Sequence, residues 1–389
     1  MKGRSAWVAM ALAAVVAVAS GCGSSSDDSG STGSTSSSTA AAGTTASAGA
    51  TTESAPAWLT DAQQAAKAAT QKPTKILSES LGPFTPKPDG SFYHVACNMA
   101  LEGCAKIANA VKAGTQALGY SFKLCDGGTT ADKIGQCFTN AINAKPDAIE
   151  TNGIGADAAA DSFAKVAEAD IPLVGSFTGD KIPTANVTTE IGGDSCAKGA
   201  ENLANWVIAH TEGKANVLFV GTKTYTCNIQ RQEAFLKTLA KCETCSSKTL
   251  EFAIDGVQSQ LPQQLQSALQ SNLDVNFVVG TFDAVALAAA DAIRQAGKAD
   301  SIKVAGFDGD APNLKMIKNG DIQVADDVTG SQEPGWAAAD AMARAMAGKK
   351  LPPNVRITDM IIDKTNAAEI GTYEGPTGFR EQFKALWGG

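Results

Sequence analysis

Apolar residues recur between residues 91 and 363 as short runs, separated by stretches in which they stand three and four apart. The runs "FYHVAC" (92–97), "SFKLC" (121–125), "DAIET" (147–151), "IPLVGS" (171–176) and "ANVLFVG" (215–221) predict β-strands. So do "KTLEFA" (248–253), "VNFVVG" (275–280), "IKVAGF" (302–307), "IQVADDV" (322–328) and "ITDMIID" (357–363). Between them, "CAKIANAVKAGTQALG", "DSFAKVAEAD", "CAKGAENLANWVIAH" and "FDAVALAAADAIRQAG" carry the apolar spacing of amphipathic helices. Glycine closes several of these, as in "QALGY" and "RQAGK", which is a helix C-cap signal. Alternation of strand and helix over this length predicts an α/β chain with parallel sheets covered on both faces.

The units repeat coarsely. Residues 117–153 run strand, acid, helix and then "PDAI" into a strand, and residues 248–283 follow the same order through Asp255 and a Gln-rich helix. Two similar α/β halves follow, an arrangement that places a ligand between them. At the ends of the body, "APAWLTDAQQAAKAAT" (55–70) reads as a lone helix packed on it. Phe379, Phe383, Leu386 and Trp387 stand at helical spacing in the last residues, and both segments read as packing elements.

The first residues give an address. Lys2 and Arg4 precede an apolar run from about Ala6 to Ala19, followed by Ser20-Gly21-Cys22. This is the charged, apolar and small-residue order of an export signal, too short for a good membrane span. Small residues before a cysteine resemble a bacterial lipobox, with Ala19 where Leu is usual, and imply lipidation of Cys22. The Gly, Ser, Thr and Ala that follow bury almost nothing and cannot offset their ordering entropy. They predict a flexible tether with a root-mean-square span of roughly 30 Å.

Roughly 300 residues remain after residue 90, enough for two domains. Loss of residues 1–21 removes Lys2 and Arg4 and no acid, leaving 30 basic against 40 acidic side chains, a net charge of −10. No Lys/Arg run stands out, which argues against nucleic acid as a partner. Besides Cys22 there are eight cysteines: Cys97, Cys104, Cys125, Cys137, Cys196, Cys227, Cys242 and Cys245. An even number in an exported chain suggests disulfides, and sequence cannot settle their connectivity. Local pairing is the working expectation: 97–104, 125–137, 196–227 and 242–245. "KCETC" (241–245) follows a helix and sits at its negative end, which disfavours a reactive thiolate.

No catalytic constellation emerges. His94 lies in a strand and His210 at a helix end; "GSFTG" lacks the central Ser of a nucleophile elbow, and "GIGAD" the third glycine of a dinucleotide fingerprint. Zinc would need a second ligand pair. The calcium pattern hinted by "DGD" (308–310) fails because its twelfth position is Asn319. Asp326 and Asp327 are adjacent on a strand and point to opposite faces. We expect neither an enzyme, nor a metal, nor a cofactor.

One acid invites another reading. "IKVAGFDGD" ends an apolar strand in Asp308, and ligands of open parallel sheets bind outside the carboxyl ends of strands. Asp-Gly is equally a turn signal. With "VNFVVGTFDAVALAAADAIRQAGKADSIKVAGFDGDAP", "IANAVKAGTQALGY" and "AEADIPLVG" also in view, residues 90–365 resemble the sugar-type periplasmic-binding-protein family, the ribose-binding-like solute receptors of ABC importers. The resemblance implies two doubly wound parallel-sheet lobes joined by three crossovers, closing on a small solute.

By that resemblance Arg231 in "NIQRQEAF" aligns with the arginine that reads ligand hydroxyls, and Asp308 with the acid that does so from the other side, the two facing each other across the closed cleft. Phe282 and Asp283 occupy a strand-end step that contributes contacts; Gln332 in "SQEPGW" resembles the hinge-side glutamine, and Trp336 would supply an aromatic wall. In the first half, "NMALEGC" (98–104) replaces the family's aromatic loop, making Asn98, Leu101 and Glu102 candidates. Phe177 and Thr178 stand where an Asp-Arg pair is usual. The resemblance implies a sugar or sugar-like solute, and these departures in the first half make a less polar compound the alternative.

The organisation implied is a lipoprotein signal peptide over 1–21, a lipidated tether over 22–56 and a helix with extended lead-in over 57–90. A first lobe takes 91–191 plus 330–358, and a second takes 192–329 plus 359–389. The expected protein is a monomeric, lipid-anchored extracytoplasmic receptor that passes its solute to ABC permease subunits or presents it to a sensor kinase. The fold also occurs in sugar-responsive repressors, but a signal and tether stand here where their DNA-binding segment would be.

Overall fold

The computed structural model describes residues 55–178, 187–271 and 274–388. The signal peptide and almost all of the tether, with Cys22, lie outside the described residues, as do Gly179 and Asp180.

The chain opens with helix α1 (Ala57–Ala69) and an extended lead-in, then alternates. Strand β1 (Ser91–Ala96) is followed by α2 (Glu102–Ala117), β2 (Ser121–Asp126), α3 (Ala131–Ala144), β3 (Ala148–Asn152), α4 (Ala156–Glu168), β4 (Leu173–Ser176) and β5 (Val187–Ile191). The second series is α5 (Ser195–His210), β6 (Asn216–Gly221), α6 (Thr226–Leu239), β7 (Ser246–Glu251), α7 (Leu261–Ser271), β8 (Phe277–Gly280), α8 (Asp283–Gln295), β9 (Lys303–Phe307), α9 (Ala311–Asn319) and β10 (Gln323–Thr329). Last come α10 (Glu333–Met346), β11 (Asn354–Val355), β12 (Asp359–Asp363), α11 (Ala367–Ile370) and α12 (Phe379–Leu386).

Two sheets form, with strand orders β11-β5-β4-β3-β1-β2 and β12-β10-β9-β8-β6-β7. All neighbours are parallel except β12, which runs antiparallel to β10. In both sheets the order reverses beside the first strand, the switch point at which open α/β sheets leave a crevice. The central strands are buried along almost their whole length, as parallel strands covered on both faces must be.

Each sheet has its own core. Val111, Ala148, Val174, Ile191, Trp336 and Phe383 belong to the first lobe's; Leu203, Phe219, Phe235, Phe277 and Phe307 belong to the second's. Helices α10 and α2 meet backbone to backbone in the first lobe. A Cβ on Gly335 would come within 2.2 Å of the Val111 amide nitrogen, so only glycine fits there. The helix C-caps also follow expectation: Gly119 and Gly297 adopt φ +79° and +67°.

The three crossovers are the segments between β5 and α5, β10 and α10, and β11 and β12. Two further passages accompany them. Helix α1 packs on α5 of the second lobe, whereas the lead-in after it buries Ile76 and Phe84 in the first. Helix α12 leaves the second lobe after α11 and buries Phe379, Phe383 and Leu386 in the first lobe. The tail from 379 therefore sits with the first lobe, not with the second as residues 359–389 were expected to. Its apolar face finds Trp336, and burial of that face outweighs chain proximity.

The expected strands all form, with small shifts at their ends. Strands β5 and β11 escaped notice, one because "VTTEI" is polar and the other because it has two residues. The sulfurs of 97–104, 125–137, 196–227 and 242–245 are adjacent, with Cα–Cα separations of 5.6, 5.6, 5.4 and 5.4 Å. No described helix is long and apolar enough to cross a membrane. His94 is buried, its Nδ1 against the Glu150 carboxylate one strand away, and His210 stacks on Trp206 at 4.4 Å.

Candidate functional site

A cavity of about 140 Å³ lies between the lobes, at the carboxyl ends of the strands. On the scale by which one water needs about 10–15 Å³, it suits a solute with on the order of ten non-hydrogen atoms. The first lobe contributes the loop after β1 and the start of α2 (Cys97, Leu101, Glu102, Gly103, Cys104, Lys106, Ile107), with Gly153 after β3 and Phe177 after β4. The second contributes Tyr225, Cys227, Asn228 and Arg231 from the start of α6, then Ile254, Phe282 and Ala284. Asp308 and Asp310 follow β9, and Thr329, Gly330 and Ser331 form the crossover after β10.

Arg231 is buried. Its Nη2 donates to Asp308 Oδ1 at 2.7 Å, its Nη1 donates to the Thr281 carbonyl at 2.9 Å, and the guanidinium lies 4.7 Å from the centre of the Phe307 ring. Both charged residues come from the second lobe, as their places within 192–329 implied, but they pair directly instead of facing each other across the cleft. The pair offers a fixed donor–acceptor edge whose charges cancel. Such an edge suits a neutral, hydroxyl-bearing solute better than an ion, because a charged solute would have to break the pair or remain unmatched.

The turn carrying Asp308 is held from three directions. Asp308 adopts φ +101°, a rare conformation for a residue with a side chain. Its amide donates to the Asp327 carbonyl at 3.1 Å, the Gly309 amide to Asp326 Oδ1 at 3.1 Å, and the Asp310 amide to Asp283 Oδ2 at 2.5 Å. Phe177, on the opposite wall, also has positive φ, +54°. Backbone held in sparsely populated regions needs this kind of over-determined support.

The acids behind the turn are protonation-sensitive. Burial, reinforced by Asp326, raises the pKa of Asp283 well above the carboxylate range. Burial likewise raises Asp326. Asp310 is pushed up to about 6, burial outweighing the opposing charge of Lys106. Asp327 turns to the other face of β10, toward Gly199 of α5, as adjacent strand residues must.

Leu101, Glu102, Phe177, Arg231, Phe282 and Asp308 line the cavity; Asn98, Thr178, Asp283, Gln332 and Trp336 do not. Asn98 Oδ1 is turned back to the Ala100 amide at 3.1 Å, closing its own loop. Thr178 donates through its amide and hydroxyl to the Glu190 carboxylate at 2.6 and 2.7 Å. Asp283 is fully buried beneath the 308–310 turn and supports it. Gln332 is at the hinge, its amide donating to the Glu374 carbonyl at 3.0 Å. Trp336 is 4 % exposed and stacks on Trp387 at 5.6 Å inside the first lobe's core, so it is no wall of the cavity.

Sequence reasoning missed Lys106, Ile107, Tyr225, Asn228, Ile254, Asp310 and Ser331. Asn228 was within reach, standing one helical turn before Arg231 on the same face. Lys106 reads as an ordinary i,i+4 partner of Glu102, and nothing local marks its role. Among the described residues no cluster of His, Cys, Asp and Glu could hold a metal ion.

A model of the periplasmic binding protein domain matches residues 97–350. The chain belongs to the periplasmic binding protein family. Within it, this is a non-enzymatic substrate-binding protein, and members are extracytoplasmic. Among curated proteins, the D-apiose import binding protein of Actinobacillus succinogenes is 23% identical over 275 residues, covering 68% of this chain and 86% of that protein. The fold is shared with the 5-methylthioribose transporter solute binding protein of Thermotoga lettingae, at TM-score 0.68 and 19% identity over 78% of this chain and 99% of that one. It is shared also with an ABC transporter solute binding protein of Agrobacterium vitis bound to allitol, at TM-score 0.66 and 20% identity over 73% and 99%.

Proposed function

We propose that this periplasmic binding protein captures a small, uncharged, sugar-like solute between its lobes and delivers it to an ABC permease. The observation carrying this reading is the self-neutralised Arg231–Asp308 edge in an inter-lobe cavity of about 140 Å³. D-Apiose, allitol and 5-methylthioribose, the solutes named for similar proteins, are all neutral and hydroxyl-bearing. The lobes close because only the closed form supplies both sets of contacts to the solute.

On the same reading the protein is a monomer, held at the outer face of the membrane by lipid on Cys22 through the Ser/Thr/Gly/Ala tether, and its four adjacent cysteine pairs are disulfides. Their Cα separations fall in the range that bridges require. Export to an oxidising compartment would preserve them. Incorporation of labelled palmitate, lost in Cys22→Ala, tests the anchor.

Leu101, Ile107, Phe177, Ile254 and Phe282 favour a second reading, in which the solute is less polar than a common sugar. Thermal-shift titration with pentoses, hexoses, polyols and 5-methylthioribose separates the two. Stabilisation by a pentose or hexose supports the first; no stabilisation by any pentose or hexose, whether or not 5-methylthioribose stabilises, shifts the assignment to the less polar class.

A further inference from the structure

Lys106 sits where α2 of the first lobe meets the turn after β9 of the second. Its ammonium has three N–H donors and no acceptor. The Asp308 carbonyl lies 3.2 Å from Nζ, the Gly309 carbonyl 2.8 Å, and the Asp310 carboxylate 2.8 Å. The two carbonyls accept hydrogen bonds and the carboxylate forms an ion pair, all three on one turn of the opposite lobe. Glu102, one helical turn earlier, adds a further tie: its Oε1 accepts from the Ala311 amide at 3.2 Å. The Lys106 side chain is only 18% exposed. Burial works against its charge, but Asp310, with Asp308 and Asp283 behind it, outweighs burial and holds the pKa above the usual lysine range.

We propose that Lys106 is a positioning residue that latches the two lobes together through protein atoms alone, presetting the cleft width and the placement of the Asp308–Arg231 edge. Three consequences follow from its geometry. The latch acts on the backbone of the turn that carries Asp308, so loosening it frees that carboxylate as well as the lobe. Closure it supplies need not be supplied by the solute, because apparent affinity scales with the population of the binding-competent form. Its contribution is indifferent to the chemistry of the solute, which leaves selectivity to the cavity wall.

Small-angle X-ray scattering of the full chain without added solute tests this, comparing the wild type with Lys106→Met, which keeps most of the aliphatic stem and removes the ammonium. The expected result is a larger radius of gyration and faster amide exchange at residues 308–311, both reversed in Lys106→Arg. A folded Lys106→Met chain with the wild-type radius overturns the proposal, whatever its amide exchange. If Lys106→Met loses its helical circular dichroism, Asp310→Asn removes the same ion pair from the other lobe and is read in the same way. No solute enters the experiment, so a negative result bears on the latch and leaves the solute assignment to the thermal-shift panel.

Discussion

Arg231 and Asp308 belong to the same lobe and are joined by a 2.7 Å ion pair at the carboxyl end of β9. A pair so joined acts as one recognition element, because each partner orients the other. Arg231→Ala is expected to weaken binding of whichever panel sugar stabilises the protein by at least about tenfold, as hydrogen bonds to charged groups contribute roughly 1.5–3 kcal/mol. Asp308→Ala should do the same. The double variant should fall well short of the product of the two losses, since contacting residues couple. Isothermal titration of the three variants checks this, and unchanged affinity in both single variants removes the pair from the site.

Trp336 is a core residue, in contact with Phe379, Phe383 and Trp387. Trp336→Ala is expected to destabilise the fold by about 3–5 kcal/mol. Denaturant unfolding measures the loss. A small change accompanied by weakened solute binding would return Trp336 to the cavity wall.

Glu333 sits in the hinge, fully buried, with its Oε2 accepting from the Thr358 amide at 3.2 Å and from the Thr358 hydroxyl. Burial outweighs those hydrogen bonds and raises its pKa from 4.5 to about 8. A raised folded-state pKa contributes stability that is complete below 4.5 and lost as pH rises through about 8. Asp310, raised to about 6, has the same sign. The melting temperature should therefore fall between pH 5 and pH 9, and Glu333→Gln should flatten that decline. A melting temperature that climbs over this interval would contradict the assignment.

The cysteine pairs differ in the loop each closes, with sequence separations of 7, 12, 31 and 3 for 97–104, 125–137, 196–227 and 242–245. As disulfides they would contribute about 2–4 kcal/mol each, with the shortest loops lowest. Alkylation of the denatured protein should modify none of these cysteines before reduction. Replacing both Cys196 and Cys227 by Ser should cost more stability than replacing both Cys242 and Cys245. Equal costs would show that loop closure is not the source.

How much of this was legible along the chain depends on the range of the interactions involved. Periodicity alone anticipated the strands whose residues are apolar, because a parallel strand buried on both faces must be nearly all apolar. It missed β5, whose "VTTEI" is polar, and the two-residue β11, whose partner β5 lies more than 150 residues earlier in the chain. Arg231 and Asp308 were found through family-like segments, which specify positions but not partners. Both fall within residues 192–329, assigned to one lobe from the sequence, but their direct pairing needed the relative placement of α6 and the end of β9.

Local order determined the alternating α/β chain, the two repeated halves and the acid at the end of β9, since apolar spacing and strand-end chemistry are properties of neighbouring residues. Only the folded molecule decided that Trp336 faces Trp387 rather than a solute, that Asp283 supports the Asp308 turn from beneath, and that Lys106 reaches across to Gly309. Each of those outcomes is a competition among partners distant in sequence, settled by burial and hydrogen-bond geometry that no single stretch of the chain contains.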